Sequence, residues 1–226
     1  NIEFDHADIY KNIDEIEKNF MELAVGLPKE SVIYINSSGL REYFLDAIKK
    51  NTNIKARIEA FNAEAENIYD INKNITVKGL EGIVSETKVR ESLKNYKGVK
   101  RRYDTIFDDE YFRVIDDFAH HPTAIKETLK IAKKENENVT LIMELGSNSM
   151  RKGIHDDALI EIFRENSSFL VSASPEQEKK FRDYAKPFTE NFMKILLQKG
   201  NSKKTILMCG NKNFEGFQSL ILDSLI

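Results

Sequence analysis

Short apolar runs alternate with helical patterns in the second half of the chain. The runs begin near residue 111 and then occupy 139–145, 168–171 and 205–209, each followed by polar residues. Between them, apolar residues recur every three or four positions, which predicts helices after Pro122, around 158–163, at about 175–184 and 187–198, and at about 217–225. Short strands separated by helices are typical of a parallel sheet covered by helices. We therefore predict a Rossmann-like α/β domain from about residue 103 to 226.

The first hundred residues show a less regular pattern. Ile9, Ile13, Ile16 and Phe20 have helical spacing, and the run 32–35 predicts a strand that ends in a polar turn. Further helices are predicted at about 40–50, 64–71 and 86–96. The segment holds two strands at most, which is too little sheet to close a nucleotide-binding domain.

Composition narrows the class of protein. The 226 residues are 41% hydrophobic and 31% charged, so the chain can bury a sizeable core. Its net charge of −3, with both signs interspersed, disfavours nucleic acid as a partner. No apolar run approaches the roughly 18 residues of a membrane span, so we expect no membrane partner. The lone Cys209 lies in an apolar strand pattern and is expected to be a buried hydrophobe in a reducing, cytoplasmic compartment.

The densest group of polar side chains follows the first strand of the predicted sheet. Residues 116–123 contain Asp116, Asp117, His120, His121 and a Thr, and Pro122 suits the first turn of a helix. Ligands of open α/β sheets bind beyond the carboxyl ends of the strands, where this loop lies. A purely structural interpretation also exists, because Asp and Thr cap helices and His next to Pro is common in loops.

Three strings in the order of the chain resemble the Mur ligases, the ATP-dependent amide-forming enzymes of peptidoglycan metabolism. Residues 114–125 resemble the D-D-[FY]-[AG]-H-H-P-T signature, 98–102 resemble G-V-K-R-R, and 1–8 resemble N-x-E-x-D-H-x-D of the central ATPase domain. The resemblance implies part of a P-loop-type ATPase domain over 1–98 and a C-terminal Rossmann-like domain over 99–226. Without the resemblance, the basic run 97–102 would be interpreted as a solvated face.

Finer details resemble the branch that joins L-alanyl-γ-D-glutamyl-meso-diaminopimelate to UDP-N-acetylmuramate in peptidoglycan recycling. Glu144 followed by Ser147-Asn148-Ser149-Met150 is similar to that branch's E-P-R-S-N-T-M. The alanine-adding branch would show H-R-Y-T-R there. Leu145 and Gly146 stand where the pattern has Pro-Arg, so the Arg that would help hold a substrate carboxylate is missing, and Arg151 or Lys152 could replace it. The stretch 55–85 is also much shorter than the family's central domain.

The resemblance implies an ADP-forming ligase that uses ATP and Mg²⁺, with UDP-N-acetylmuramate and a short muropeptide as substrates. An acyl phosphate forms and the amine displaces its phosphate, which requires cations on the phosphoryl group and a dry site. The resemblance implies that Arg101, Arg102 and His120 act in catalysis and that His6 with Glu3 binds magnesium. It implies that Asp117 contacts the ATP ribose, that Asn62 or Asn67 contacts adenine, and that His121 contacts the nucleotide or the peptide. The residues implied to contact the peptide are Ser147, Asn148, Ser149 and Arg151.

Several of these roles have structural alternatives. His6 could be an ordinary helix-start residue, one of His120 and His121 could only orient the loop, and Ser147–Ser149 could simply cap a helix. His155 is expected to be an ordinary surface residue.

A non-catalytic nucleotide-binding module is a second possibility, and a phosphate-cradling G-x-x-G-K-[ST] loop would argue against it. The sequence contains no such loop. We therefore expect this chain alone to be inactive and the P-loop and UDP-sugar regions to lie upstream of Asn1.

Overall fold

The computed structural model describes residues 2–6, 9–96 and 98–226. Asn1, Ala7 and Asp8 of the amino-terminal string and Lys97 of the basic cluster lie outside the described residues. The chain divides into two units, Asn1–Lys97 and Gly98–Ile226. The assignment of the first unit to a central ATPase domain and of the second to a C-terminal domain stays a prediction.

The N-terminal unit pairs two parallel strands and surrounds them with helices. Its elements are α1 (Ile13–Gly26), β1 (Val32–Asn36), α2 (Glu42–Lys50), β2 (Arg57–Phe61), α3 (Ile68–Gly79) and α4 (Glu86–Asn95). Val32 lies opposite Arg57 in the parallel register of β1 and β2. The core is small, with Ile35, Phe44 and Ile48 as its buried members. The four predicted helices and the strand predicted at 32–35 are present, although several boundaries differ. The strand count stays within the expected limit of two, and β2 was not located from the sequence.

Side-chain caps explain two of the shifted helix boundaries. The Asn12 side chain accepts a hydrogen bond from the Glu15 backbone N–H, so α1 begins at Ile13 and Ile9 lies outside it, 67% exposed. Asn67 caps α3 in the same way, so the helix predicted at 64–71 runs instead over Ile68–Gly79. Asn is among the best N-cap residues because its side-chain oxygen satisfies an orphan N–H of the first turn.

The C-terminal unit is a mostly parallel sheet with helices on both faces, as predicted. The sheet has six strands, two more than the four apolar runs of the sequence. Its strand order is β3-β4-β8-β5-β6-β7, and only β3 runs antiparallel to its neighbour. Its elements are β3 (Asp104–Asp108), β4 (Phe112–Asp117), α5 (Pro122–Glu135), β5 (Val139–Glu144), α6 (Asn148–Arg151), α7 (Asp156–Arg164), β6 (Ser167–Val171), α8 (Pro175–Phe181), β7 (Lys186–Pro187), α9 (Glu190–Leu196), β8 (Lys204–Cys209) and α10 (Phe217–Leu225).

The central strands are buried on both faces. In β5, Leu141 and Met143 pack into the cluster that includes α5 and α7 residues, whereas Ile142 packs into the cluster that includes α9 and α10 residues. Successive side chains of a strand point to opposite faces, so one continuous apolar run supplies both cores. This burial fixes the strands and places their carboxyl ends at one edge.

Three short elements of this unit were not predicted. β3 forms an antiparallel edge next to β4, and its Asp-flanked sequence gives little strand signal. The helix predicted at 187–198 is α9, which begins only after the Thr189 cap, while Pro187 belongs to β7. α6 is a single turn. In the described ranges no helix is both long and apolar enough to cross a bilayer.

Candidate functional site at the carboxyl edge of the sheet

The carboxyl ends of the parallel strands place four polar loops at one edge of the C-terminal unit. These loops are 118–121 after β4, 145–147 after β5, 172–174 after β6 and 210–216 after β8, and we call them together the carboxyl edge. In open α/β sheets this edge is where ligands bind.

Asp117 is the buried anchor of the first loop. Its side chain is 2% exposed, and its Oδ2 accepts hydrogen bonds from the Tyr103 N–H and the Thr128 hydroxyl, each at 3.1 Å. Its Oδ1 accepts from the Ala119 N–H at 2.9 Å. These bonds satisfy the carboxylate internally and hold the loop in place. A contact of Asp117 with the ATP ribose stays a prediction.

Arg101 is tied to the end of β4 and to the loop after β8. Its Nε lies 3.1 Å from Oδ2 of Asp116, which is buried, and its Nη2 donates to the Gly210 carbonyl at 2.8 Å. Its φ of +60° is unusual for a residue with a side chain. The guanidinium is thus used within the protein, where it compensates a buried carboxylate and joins two loops. Its assignment as a catalytic residue stays a prediction.

Arg102 differs from its neighbour in its environment. It is exposed, and its guanidinium carbon lies 5.3 Å from the centroid of the Phe118 ring. Within the described residues no carboxylate forms an ion pair with it. A guanidinium held over an aromatic face and left without a carboxylate suits a phosphate, which it binds through two parallel N–H groups.

The two histidines of the first loop have different contacts. Nδ1 of His120 lies 2.9 Å from the Phe118 carbonyl oxygen. The His121 ring meets the ring of His155 edge to face, with 4.7 Å between centroids. The expectation that His155 is an ordinary surface residue is wrong, because packing between the starts of α5 and α7 half-buries it. The catalytic role of His120 and the nucleotide or peptide contact of His121 stay predictions.

Two groups beneath the loop have raised pKa values. Burial raises the pKa of the Cys209 thiol well above its usual value, and the neighbouring carboxylates Asp117 and Asp116 raise it further. Burial also raises the pKa of the Tyr103 hydroxyl, with a contribution from its hydrogen bond to Glu135. Cys209 is therefore protonated at neutral pH and packs as a buried hydrophobe, as predicted.

Glu144 organises the loop after β8. Its carboxylate is 1% exposed, and it accepts hydrogen bonds from the backbone N–H groups of Lys212, at 2.8 Å, and Phe214, at 2.9 Å. Gly210 passes so close that a Cβ there would lie 2.6 Å from the Glu144 Cβ. The sequence singled out Glu144 only as part of a string, whereas its partners are 68 and 70 residues away.

The predicted peptide-binding residues form the N-cap of the short helix α6 and part of the helix itself. The Ser147 hydroxyl accepts a hydrogen bond from the Met150 N–H, so the capping interpretation is confirmed for this residue. Ser149 is buried, and Asn148 and Arg151 are exposed. Contacts of Ser147, Asn148, Ser149 and Arg151 with a peptide stay predictions.

The two asparagines of the N-terminal unit lie at different places. Asn62 lines a cavity of about 690 Å³ that α3 and α4 residues also line, and its side-chain amide donates to Glu64. Asn67 uses its side chain in the cap of α3, where it accepts from the Asp70 N–H and donates to the Asp70 carboxylate. An adenine contact by either residue stays a prediction.

His6 and Glu3 lie at the start of the described chain. The His6 side chain is 66% exposed, and its backbone N–H donates to Oδ1 of Asp5 at 2.7 Å. Over the described ranges no three His, Cys, Asp or Glu residues converge on a point where a metal could bind. Mg²⁺ is usually held by one or two protein carboxylates together with substrate phosphates and water. The carboxylates of Glu3 and Asp5 fit that limited contribution.

Curated proteins that resemble the chain in sequence include several named UDP-N-acetylmuramate–L-alanine ligase. The chain is 32% identical over 175 residues to the UDP-N-acetylmuramate–L-alanine ligase of Fusobacterium nucleatum, an alignment that covers 59% of this chain and 37% of that ligase. It is 31% identical over 204 residues to the Clostridium beijerinckii ligase of the same name, covering 76% and 44%. The chain thus spans less than half the length of these relatives. No protein-family model matches it.

Solved structures share the fold over most of the chain. A murein peptide ligase from Psychrobacter arcticus superimposes with a TM-score of 0.65 at 20% identity, covering 94% of this chain and 55% of that one. MurF from Acinetobacter baumannii gives a TM-score of 0.75 at 16% identity, covering 99% and 58%. These solved structures support the fold, and the sequence relatives support the family. The chain belongs to the Mur ligase family.

Proposed function

We propose that this chain is the nucleotide- and amine-binding part of an ATP-dependent, ADP-forming amide ligase of peptidoglycan metabolism. The observation that carries the proposal is the arrangement of charges beside the carboxyl edge. Asp116, Asp117 and Glu144, at the strand ends, are buried and used internally. Arg102, whose guanidinium lies over the Phe118 ring of that edge, stays exposed. Buried carboxylates fix the loops, and an exposed cation faces the space that an anionic substrate would fill. The family to which the chain belongs supports an amide-forming reaction.

The proposed reaction has two steps. A carboxylate oxygen of UDP-N-acetylmuramate attacks the γ-phosphorus of ATP, ADP leaves, and an acyl phosphate remains. The amine of the second substrate then attacks the acyl carbon, loses a proton, and expels inorganic phosphate as the amide bond forms. The first step transfers a phosphoryl group with dispersed negative charge, and positioned cations lower its barrier.

Arg102 is proposed to bind the phosphoryl group during that transfer. Arg101 holds the loop through Asp116 and Gly210, so its contribution is to place Arg102 and the loop after β8. His120 and His121 are proposed to border the nucleotide and the amine. Glu3 and His6 are proposed to help hold Mg²⁺, which supplies further positive charge at the phosphates when it is bound.

The amine substrate is proposed to be the tripeptide L-alanyl-γ-D-glutamyl-meso-diaminopimelate. Ser147 lies in the loop after β5, and Asn148, Ser149 and Arg151 lie in α6, which follows it directly. These polar residues beside the carboxyl edge support a peptide substrate. L-alanine is the specific alternative, since the sequence relatives named above are L-alanine ligases. Both substrates have an amine that attacks the acyl carbon and a carboxylate that a cationic side chain would bind.

A substrate panel on the intact protein tests the proposal. Phosphate release from ATP is measured with UDP-N-acetylmuramate and, in separate reactions, L-alanine, a dipeptide or the tripeptide. We expect release only when both the nucleotide sugar and the tripeptide are present. Turnover with L-alanine alone would reassign the enzyme to the alternative, and no turnover with any amine would contradict the ligase activity.

A further inference from the structure

The loop after β8 carries a lysine whose position the structure restricts from two sides. The backbone N–H of Lys212 donates to Oε2 of Glu144 at 2.8 Å, and the Phe214 N–H donates to the other oxygen of the same carboxylate. Glu144 is 1% exposed and lies at the end of β5. A buried carboxylate therefore holds the backbone of the loop that bears Lys212.

The side chain of Lys212 passes over Gly146 in the loop after β5. A Cβ at position 146 would lie 2.9 Å from Lys212 Cδ, and 3.1 Å from both Lys212 Cγ and Asn211 Oδ1. Real Cβ atoms do not approach other carbons so closely, so any larger residue at 146 would displace the lysine stem. Gly146 has no left-handed φ. The lack of a side chain at Gly146 therefore leaves room for the stem of Lys212 and for the neighbouring Asn211 side chain.

The ammonium group of Lys212 is available for a ligand. The residue is exposed, and no carboxylate of the described chain forms an ion pair with it. Glu144, which holds the backbone of this loop, is itself occupied by two backbone N–H groups. The backbone of Lys212 is held by Glu144, its stem packs over Gly146, and its ammonium group forms no ion pair within the described residues. This arrangement suits a side chain that binds an anion at the carboxyl edge.

We propose that Lys212, seated over Gly146, binds a carboxylate of the amine substrate and so selects acids over neutral amines. The inference rests on the proposed ligase function and deepens it. Arg151 and Lys152 were the candidates for this cation, and both lie at the end of α6 and beyond it. Lys212 differs from them because its stem lies directly against Gly146 in the loop after β5. Ser147 of that loop is proposed to face the same substrate.

Binding to the 226-residue chain tests the inference without turnover. The backbone amide signals of Gly146 and Gly210 are followed by NMR while L-alanine or the tripeptide is added, and the C-terminal amides of both compounds are titrated separately. We expect the acids to shift these signals and the amides to bind roughly tenfold more weakly, as expected for loss of one charge-assisted hydrogen bond. Equal affinity for acids and amides would overturn the inference.

Variants locate the effect at residue 212. Lys212→Met should weaken acid binding roughly tenfold, Lys212→Arg should retain it, and Lys194→Met, at an exposed lysine of α9, should leave it unchanged. Gly146→Ala should weaken binding by displacing the lysine stem, and adding it to Lys212→Met should have no further effect. Unchanged acid binding in Lys212→Met would contradict the inference.

Kinetics separate this inference from the proposed function. In the intact protein, Lys212→Met should raise KM for the amine substrate roughly tenfold and leave KM for ATP unchanged. If the wild type turns over and Lys212→Met has an unchanged amine KM, the inference fails and the ligase function stands. If no amine is turned over but acids still bind in a Lys212-dependent way, the ligase function fails and the carboxylate site stands.

Discussion

The contact between α1 and α2 in the N-terminal unit and the carboxyl edge of the C-terminal unit use their charged side chains differently. In the first, Arg41 is bound by Asp14 and Glu17, and its guanidinium carbon lies 4.5 Å from the Tyr43 ring centroid. At the carboxyl edge the carboxylates bind backbone N–H groups and Arg101, which leaves Arg102 outside any ion pair of the described chain. Paired charge supports the fold, whereas unpaired positive charge is available to an anionic substrate.

The two units also differ in how they bury their strands. Every residue of β5 is buried, whereas β1 has one buried residue and β2 has none. Parallel strands are normally covered on both faces, and an isolated pair of strands has little stability of its own. We infer that the C-terminal unit derives its stability mainly from its core and the N-terminal unit depends more on polar contacts between its helices.

The largest expected effect is on catalysis at the carboxyl edge. In the intact protein, Arg102→Ala should lower kcat by at least about 100-fold, since a preorganised group at a developing charge contributes about 3–4 kcal/mol to the transition state. Thermal unfolding of this variant should match the wild type. Arg101→Ala is the comparison, because it should lower the melting temperature by leaving the buried Asp116 uncompensated. An active, normally folded Arg102→Ala variant would remove this residue from the mechanism.

Matched Leu→Ala substitutions measure the difference between the two cores. Leu141 is fully buried in β5, whereas Leu45 in α2 is half-buried. Leu141→Ala should cost about 3 kcal/mol and Leu45→Ala about 1 kcal/mol, because the cavity and the lost apolar burial are larger in the sheet. Urea unfolding gives the two free energies, and hydrogen exchange shows which strands lose protection. Equal costs would contradict the difference in burial.

Substitutions of Glu144 test whether one carboxylate holds the loop after β8. Glu144→Ala leaves the Lys212 and Phe214 N–H groups without their acceptor and should cost about 2 kcal/mol. Glu144→Gln keeps one acceptor oxygen and should cost about half as much. Urea unfolding and hydrogen exchange at residues 210–216 measure both effects. The result that would contradict this role is normal protection of the loop in Glu144→Ala.

The smallest predicted effect is a pH dependence of the N-terminal unit. Hydrogen bonding from Arg41 lowers the pKa of Glu17 below its usual 4.5, with burial opposing and Tyr43 assisting. Because the folded-state pKa is the lower one, this stabilisation is complete above about pH 4.5 and is lost as the pH falls through the folded-state value.

A substitution that removes the Glu17 charge but keeps the shape of the side chain isolates the contribution of this carboxylate. Glu17→Gln should cost about 1–2 kcal/mol at pH 7 and flatten the acid limb of a plot of unfolding free energy against pH. Asp46→Asn, at an exposed residue of α2 that forms an ion pair with Lys50, is the control and should change little. An unaltered acid limb in Glu17→Gln would show that another group carries the pH dependence.

Local patterns predicted the C-terminal sheet well because its four central strands are continuous apolar runs bounded by polar loops. They predicted the loop after β4 and its Pro-initiated helix for the same reason. The edge strand β3 was missed because its pairing with β4 depends on a neighbouring strand more than on its own sequence. The start of α3 was misplaced because Asn67, rather than the apolar spacing, sets the boundary.

The site was predicted in position more than in detail. Residues 116–121 were assigned to the carboxyl end of a strand. The structure ends β4 at Asp117, so Asp116 and Asp117 belong to the strand and 118–121 form the loop of the carboxyl edge. The sequence treated Arg101 and Arg102 alike, whereas only the fold brings Asp116 and Gly210 to the first of them. It also treated His155 as a surface residue, although α5 and α7 bring it against His121.

The sequence by itself determined the class of the C-terminal fold, the family and the loop that carries the candidate chemistry. Those properties depend on hydrophobic periodicity and on short strings, which are local. The tertiary structure decided which charges are used internally and which stay open. The partners of Glu144 and Arg101 are 68 and 109 residues away along the chain, and Lys212 meets Gly146 only because β5 and β8 are neighbours in the sheet. Contacts of that separation leave no periodic signal, since they arise only when the strands pair.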